Sequence, residues 1–418
     1  MIINFTVQNF GSIKDKQKLS FEADKSTHLE DTYIIQSGKH RILKLALIYG
    51  ANASGKTTIL KALNFLSSMV MNPLEKKSEE LNFNPFLFDV DTPNQNSFFA
   101  IEFLQNEVKY LYEVEFSQKA IVSEALYSYN NSRKANVFKR TTDLEKQLTK
   151  ISFGSKVSID TISQKTLTAN TLWNNTVLGG FLKTNIECKE LQQVVDWFED
   201  YLSPLIYTKT QLEGFVTSKI DKKEIAKTDI LSILKKADLN ISDIVIKEDE
   251  TQEKLKLEDG KGGIKEVKIV SVKTEFEHTV NGSKYYLPLR IESEGTKRYY
   301  GFAGLLALLT KTSTAFPIDE LETSLHPDLY LHFLLSFLLN AKNSQLIATT
   351  HNREILNDKD LFRNDAIWFT NKGEGCATEL YSLADFDTSV IRDTTNILNA
   401  YKSGKLSGTP NLGDTYID

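Results

Sequence analysis

The chain has 418 residues, of which 41% are hydrophobic and 25% are charged, and its formal net charge is −5. These values are ordinary for a globular protein of two or three domains, and they exclude a chain that coats nucleic acid through bulk positive charge. Any contact with nucleic acid must therefore be local.

The cysteines and the apolar segments limit the protein class further. Cys188 and Cys376 stand far apart, with no CxxC or Cys/His spacing, which predicts neither a disulfide framework nor a zinc site. The first residues alternate like a strand and run into charged residues 14–18, unlike a signal peptide. The most apolar stretch, 329–339, is far shorter than a bilayer crossing. We expect a cytoplasmic protein without membrane contact.

The first third of the chain is rich in predicted strands. Alternating or apolar runs predict strands at residues 2–7, 19–22, 45–49, 97–103, 110–116 and 121–127, separated by turns with Asn, Pro and Gly. One substantial helix is predicted in this part, from Lys56 to about Val70.

A glycine loop stands between the apolar run 45–49 and that helix, with the sequence Gly50-Ala-Asn-Ala-Ser-Gly-Lys56-Thr57. Such a loop turns backbone N–H groups toward a polyphosphate, while its lysine reaches the β and γ phosphates and its threonine completes Mg²⁺ coordination. We therefore expect a nucleoside triphosphate and Mg²⁺ as ligands. The predicted nucleotide-binding residues here are Gly50, Asn52, Ala53, Ser54, Gly55, Lys56, Thr57 and Thr58.

The middle of the chain has no catalytic motif. Helical spacing predicts helices at residues 186–202, before Pro204, and 229–237, followed by a strand at 244–247. The charge-dense stretch 247–265 is predicted to be an exposed hairpin tip or a flexible loop. Strands are predicted again near 267–276 and 284–291, and a helix at about 295–309. This region shows no sustained heptad pattern, so a long coiled coil is not predicted.

Two acids and a histidine end apolar strands in the last third. Asp319 and Glu320 follow the apolar run 315–318, and the carboxyl end of a strand is where an α/β sheet presents groups to a ligand. There Asp319 would hold Mg²⁺ and Glu320 would polarise an attacking water. His351 follows the apolar strand 345–350 and would bond the γ-phosphate. Each residue also has a non-catalytic interpretation. Paired acids often cap helices, and a lone histidine is often a packed or surface residue without a catalytic role.

Ser293 and Gly295 stand at the start of the predicted helix 295–309 and would form a second anion-binding helix end, or simply its N-cap. Between them, Glu294 would place an acid near a polyphosphate unless its side chain turns outward. Pro317 removes one donor from its strand, which predicts an edge position or a bulge.

In this order, the motifs resemble those of ABC-type ATPases of the RecF and SMC kind. The resemblance is narrower to stand-alone bacterial anti-phage ATPases of the RloA/AbiL type. The residues that carry the resemblance are 5–13, the loop 50–57, Ser293 to Thr296, the strand through Glu320, residues 321–327, His351, residues 363–369 and residues 400–404.

This resemblance implies an α/β fold, a P-loop NTPase head of the ABC type with two lobes of mixed sheets and flanking helices, and a largely helical insertion. The expected division is 1–165 for lobe I, 166–262 for an insertion that recognises a partner or trigger, and 263–418 for lobe II. The resemblance further implies a head-to-head homodimer, or a higher oligomer, in which Ser293 and Gly295 act on the other subunit's ATP. Within one subunit, Lys56 and Thr57 would bind phosphate, and Thr57 and Asp319 would hold Mg²⁺. Glu320 would be the catalytic base, and His351 would sense the γ-phosphate.

The leading functional hypothesis is an ATP-hydrolysing switch that controls a separate effector, such as a nuclease encoded nearby, in defence against phage. Glu294 predicts slow hydrolysis, and too few residues follow His351 for the Toprim nuclease domain of OLD-type enzymes. The alternative is a RecF-like or SMC-like ATPase that binds DNA in repair or chromosome maintenance. Small basic clusters would contact DNA in that case, although such clusters are usually just solvated surface. They are Arg133, Lys134, Lys139, Arg140, Lys222, Lys223, Lys235 and Lys236.

Two further classes are disfavoured. A P-loop GTPase would require an aspartate where Gly373 follows Asn371 and Lys372. An ABC transporter subunit is disfavoured by the altered signature and by the long separation of Thr57 from Ser293.

Overall fold

The computed structural model describes residues 1–130, 133–258, 264–386 and 396–409, and it describes the side chains of all of these except 130, 248–258 and 264–272. The chain packs as two compact units. The first comprises Met1–Thr208, Thr312–Leu321 and the described part of Leu338–Asp418, and the second comprises the described part of Lys209–Lys311 together with Glu322–Phe337. These boundaries do not coincide with the three predicted segments 1–165, 166–262 and 263–418.

The described residues form strands and helices of α/β character. The strands are β1 Ile2–Gln8, β2 Gln17–Ser20, β3 Ile34–Ser37, β4 His40–Leu43, β5 Leu45–Gly50, β6 Ser97–Gln105, β7 Val108–Phe116, β8 Ile121–Asn130, β9 Arg133–Asp143, β10 Leu148–Phe153, β11 Asp243–Glu258, β12 Ile264–Val280, β13 Ser283–Pro288, β14 Ala315–Ile318, β15 Gln345–Thr349, β16 Ile367–Lys372 and β17 Thr378–Ser382. The helices are α1 Glu30–Tyr33, α2 Lys56–Met71, α3 Thr161–Asn170, α4 Val177–Leu182, α5 Lys189–Asp196, α6 Leu212–Asp221, α7 Lys227–Lys236, α8 Glu294–Lys311, α9 Pro327–Asn340 and α10 Ile397–Lys402.

A five-stranded sheet with the order β14-β15-β5-β16-β17 lies at the centre of the first unit. Its first four strands are parallel, and β17 is antiparallel to β16. All six residues of β5 are buried, as expected for a strand covered on both faces. Because the strands are parallel, the carboxyl ends of β14, β15 and β5 meet at one edge, where a ligand site is expected. The predicted α/β P-loop fold class is confirmed.

A seven-stranded antiparallel sheet, β10-β9-β8-β7-β6-β1-β2, completes the first unit together with α2. Phe65 of α2 contacts Phe10, Phe83 and Phe116, with ring centroids 5.4 to 5.9 Å apart. These aromatic contacts bury a large apolar area and fix the helix that follows the glycine loop. The 11-residue strand β9 and the 6-residue strand β10 were not predicted.

Residues 161–201 are part of the first unit rather than of a separate insertion. The predicted helix 186–202 is present as α5 followed by a π-helical turn, Trp197–Tyr201. Trp197 is fully buried and stacks on Phe103 of β6 at a centroid distance of 4.1 Å. Burial of an indole on the sheet stabilises the whole unit, so this segment belongs to its core.

The second unit combines α6, α7, α8 and most of α9 with the three-stranded sheet β11-β12-β13. A Cβ added to Gly304 of α8 would lie 2.1 Å from Val216 of α6, so only glycine permits this close approach of the two helices. Of the two alternatives predicted for 247–265, the flexible loop is wrong and the hairpin is present: β11 continues to Glu258 and pairs with β12 as a long hairpin, while residues 259–263 lie outside the described part.

The predicted position of Pro317 at a sheet edge is confirmed, because β14 is the edge strand. The Pro317 carbonyl accepts the N–H of Ile206 at 2.9 Å. The backbone nitrogen and carbonyl of a strand residue face the same side, so the side without a donor faces the irregular segment around Ile206 and not β15. The ladder between β14 and β15 is therefore complete.

One predicted exposed cation is buried. Arg140 is 1% exposed and pairs with Glu124 of the neighbouring strand at 3.5 Å. Its guanidinium also donates to the Trp173 carbonyl at 3.0 Å, while Glu124 accepts the Tyr112 hydroxyl and the Val177 N–H. Burial raises the pKa of Glu124 and of Tyr112. Including Arg140 in a solvated basic cluster was therefore wrong.

Candidate functional site

The glycine loop connects β5 to α2 as predicted. Gly55 caps α2 with φ of 102°, and a Cβ there would lie 2.0 Å from the Thr378 hydroxyl oxygen, so only glycine fits. The Lys56 ammonium donates to the carbonyls of Gly50 and Ala51, both at 3.0 Å. Lys56 is 6% exposed. The structure thus holds a cation against a loop that precedes a helix N-terminus, which is the arrangement that binds phosphate.

The loop and the acidic strand end meet in the first unit. The Thr57 hydroxyl donates to the Asp319 carboxylate at 2.9 Å, although the two residues are 262 positions apart. Asp319 also accepts the Thr349 hydroxyl at 2.7 Å, and the Glu320 N–H donates to that same hydroxyl at 2.8 Å. Sequence reasoning missed Thr349, which connects both acids to the end of β15.

A hydroxyl oxygen and a carboxylate oxygen placed side by side are the kind of ligands that Mg²⁺ takes in phosphate-binding sites. The residues present therefore fit the ion that the glycine loop implies. Thr57 and Asp319 would hold it. When bound there, Mg²⁺ would supply positive charge for the β and γ phosphates.

Glu320 and His351 lie at the same carboxyl edge of the sheet. Glu320 directly follows Asp319, is half-buried and has φ of 48°, which is in the left-handed region. His351 comes two residues after β15 and is exposed. The structure brings Lys56, Thr57 and the two acids together, and the catalytic roles of Glu320 and His351 stay predictions.

A chain of hydroxyl groups supports the loop from behind. Ser54 bonds Thr370 of β16 at 2.6 Å, and the Thr378 hydroxyl of β17 donates to the Ser54 carbonyl at 2.9 Å. The Thr378 hydroxyl also lies 2.8 Å from the Ser12 hydroxyl, and Ser12 bonds Thr58 of α2 at 3.0 Å. Local sequence patterns cannot reveal these contacts, because they join the two ends of the chain.

The described C-terminal residues also pack against the loop. A Cβ on Gly408 would lie 3.6 Å from the Gly50 Cα, and the Gly408 carbonyl accepts the Tyr401 hydroxyl at 3.0 Å. The Arg353 guanidinium lies 5.4 Å from the Tyr401 ring centre. Burial raises the pKa of Tyr401, and the Arg353 charge and a bond to the Gly50 backbone oppose the rise. The segment near Tyr401 is therefore part of the wall of the site.

An irregular segment reaches the acids from the open side of β14. Leu202 and Ile206 form parallel bridges with Ala315 and Ile318, and the Asp319 N–H donates to the Ile206 carbonyl at 2.8 Å. The chain around Ile206 and Tyr207 therefore lies beside the acidic end of β14. The sequence indicated only that a helix ends before Pro204.

The second unit contains the predicted signature residues. The Ser293 hydroxyl accepts the Thr296 N–H at 3.0 Å and so caps α8, which is the plain alternative interpretation. Glu294 points into solvent: its side chain is 81% exposed and pairs with Lys297 at 2.9 Å. The action of Ser293 and Gly295 on the nucleotide of another copy stays a prediction.

Within the four described ranges, no group of three or more His, Cys, Asp or Glu side chains is placed to hold a metal ion. No helix in the described part of the chain is both long and apolar enough to span a bilayer.

Three solved head-domain structures are similar to the chain. The "SMC head domain from Thermotoga maritima" gives a TM-score of 0.40 at 13% identity, covering 91% of this chain and 98% of that one. The "SmcHead bound to the C-winged helix domain of ScpA" gives 0.43 at 14%, covering 91% and 97%. The "Smc head domain with an extended coiled coil", derived from Pyrococcus furiosus, gives 0.43 at 11%, covering 97% and 98%.

No curated protein sequence matches the chain. A protein-family model does match, over residues 45–170 and 196–357, which include the glycine loop, both acids and His351. The matched residues amount to well over half of the sequence. The chain therefore belongs to the family described as "AAA domain, putative AbiEii toxin, Type IV TA system".

Proposed function

We propose that the protein binds and hydrolyses Mg²⁺-ATP and that the nucleotide acts as a switch. The observation that supports this best is the hydrogen bond between Thr57 of the glycine loop and Asp319 of the acidic strand end. It brings a phosphate-binding loop and a carboxylate for Mg²⁺ within reach of one nucleotide. Glu320 is then the base for the attacking water, and His351 contacts the γ-phosphate.

The first test replaces Lys56 by alanine. Loss of charge-assisted bonds to phosphate is expected to weaken ATP binding by about 1.5–3 kcal/mol, or roughly ten- to a hundredfold. Lys61→Ala is the matched control, because Lys61 lies on the same helix with an exposed side chain. Titration with a fluorescent ATP analogue measures both variants, and their melting temperatures without nucleotide show whether each folds. Equal ATP affinity in wild type and Lys56→Ala would contradict the proposed site.

We further propose that two copies close on their nucleotides, with Ser293 and Gly295 of each copy acting on the ATP of the other. The resemblance to ABC-type heads supports this arrangement, and the exposed position of Ser293 and the outward turn of Glu294 leave that helix end accessible. The closed pair would control a separate effector, a nuclease, in defence against phage. The resemblance of residues 321–327 and 363–369 to defence ATPases supports that role.

Partner or trigger recognition is proposed for residues 166–262. Deleting this whole segment is not a useful test, because it would remove the buried Trp197 and expose the sheet on which it stacks. An intact protein held in its ATP state is the better bait for a partner. The Glu320 variant discussed below supplies it.

A second candidate function is DNA binding by the face of the seven-stranded sheet. The Lys134 ammonium lies 3.7 Å from the Tyr127 ring centre, and Lys139 lies 5.9 Å from the same ring. Next to them, the Lys109 ammonium lies 5.1 Å from the Tyr129 ring centre. Cations interleaved with aromatic rings are typical of surfaces that bind single strands. This observation favours an interaction that is local and salt-dependent.

Replacing Lys134 and Lys139 together by alanine is expected to weaken DNA binding. The slope of log affinity against log salt concentration should decrease by about one to two, because fewer counterions are released. Lys76→Ala with Lys77→Ala is the control, since these two exposed lysines lie outside the sheet and outside the predicted basic clusters. Filter binding to single- and double-stranded DNA at several salt concentrations, with and without ATP, measures the slope. Absence of binding at low salt would remove this candidate.

A further inference from the structure

Three alternate residues of strand β12 contact helix α6, helix α8 and the residue before Ser293, all inside the second unit. Alternate residues of a strand share one face, and here they are Thr274, Phe276 and His278. Phe276 contacts Tyr300 of α8 edge-on, with ring centroids 5.1 Å apart. The Thr217 hydroxyl lies 3.0 Å from the Thr274 hydroxyl and 3.1 Å from the Tyr300 hydroxyl. One face of the strand is therefore fixed on the helix that begins after Ser293.

The third contact reaches the residue directly before Ser293. His278 Nε2 lies 2.8 Å from a carboxylate oxygen of Glu292. The two side chains are only 17% and 10% exposed, so water competes weakly for the bond. Ser293 then caps α8 through the Thr296 N–H. Strand β12 is thus linked through the Glu292 carboxylate to Ser293, the residue that caps α8.

We propose that His278 is a positioning residue that holds Ser293 and Gly295 in the geometry needed for the nucleotide. This inference rests on the proposed function, in which those two residues contact ATP bound to a second copy. Without the imidazole bond, the Glu292 carboxylate loses its contact with β12. A displacement of about 1 Å at a positioning group lowers rates by up to a hundredfold. The same bond connects the long hairpin of β11 and β12 to the residue that precedes Ser293.

The experiment compares His278→Ala with His332→Ala. His332 also bonds a group of α8, the Tyr299 hydroxyl at 2.7 Å, but it does not contact the residue before Ser293. Amide hydrogen exchange at residues 293–297 and steady-state ATP turnover are measured for both. His278→Ala is expected to speed exchange of the Thr296 amide and to lower kcat by about tenfold with unchanged ATP affinity. His332→Ala is expected to change neither the exchange at 293–297 nor kcat.

Conservative and double variants separate positioning from folding. His278→Gln keeps a side-chain donor for Glu292 and is expected to restore most of the turnover and protection. Glu292→Ala should resemble His278→Ala, and the double variant should be no worse than either single change. Unchanged exchange at residues 293–297 in both His278→Ala and Glu292→Ala would overturn the inference, whether or not the wild type hydrolyses ATP. A wild type that neither binds nor turns over ATP would instead refute the proposed function, and the exchange measurement would still decide the role of His278.

Discussion

Replacing Glu320 by glutamine is expected to lower the rate of ATP hydrolysis by about 10³-fold while ATP binding persists. Glutamine has the shape of glutamate but cannot accept a proton from the attacking water at neutral pH. The backbone of residue 320 remains bonded to Thr349, so the site itself should stay assembled. Single-turnover release of phosphate measures the effect. Glu379→Gln is the control, because Glu379 is exposed on β17 of the same sheet.

The same variant tests the association of two copies. With hydrolysis blocked, ATP and Mg²⁺ should convert Glu320→Gln protein into a dimer that light scattering detects after gel filtration. This trapped form is also the bait for the product of a neighbouring gene. Turnover equal to wild type would remove Glu320 as the base, and a trapped protein that stays monomeric would refute the arrangement of Ser293 over a second copy's nucleotide.

Replacing Arg140 by methionine is expected to reduce the free energy of unfolding by about 3–5 kcal/mol. Methionine fills a similar volume but leaves the Glu124 carboxylate buried without its counter-charge. Glu124 is fully buried between β7, β9 and the start of α4, so it cannot turn to solvent. Urea denaturation followed by tryptophan fluorescence measures the change, because the neighbouring Trp173 reports on the same region.

Two comparisons give this prediction its control. Arg133→Ala lies on the same strand with an exposed side chain and should change stability by no more than about 0.5 kcal/mol. The double variant Arg140→Met with Glu124→Leu removes both buried charges and should be more stable than Arg140→Met alone. A loss below about 1 kcal/mol in Arg140→Met would show that the pair contributes little.

The sequence was informative where chemistry is local. The strand, glycine loop and helix around Lys56 could be predicted because each step has its own signal: an apolar run, closely spaced glycines and a helical period. Pro317 limited β14 to an edge position or a bulge, because proline lacks a backbone donor, and the structure shows the edge position. That Asp319 lies at the end of a parallel strand could be inferred in the same way.

What the sequence could not reveal depends on contacts between distant residues. Thr349 looks like any buried threonine in an apolar strand, and only the fold shows that its hydroxyl joins Asp319 to the Glu320 backbone. Ser12 and Thr378 are 366 positions apart, yet they bond each other behind the loop. The burial of Arg140 was hidden for a related reason, because its partner Glu124 lies on the adjacent strand.

The left-handed backbone at Glu320 has a thermodynamic consequence. Consecutive residues of an extended strand point to opposite sides, so Asp319 and Glu320 could not serve one phosphate if β14 simply continued. The positive φ at Glu320 ends that alternation directly after Asp319. A glutamate in this conformation costs about 1–2 kcal/mol, which is a sizeable share of the roughly 5–15 kcal/mol that keeps a domain folded. The protein is therefore expected to be less stable than it would be with glycine at this position, and the glutamate that we propose as the base for hydrolysis would be the source of that instability.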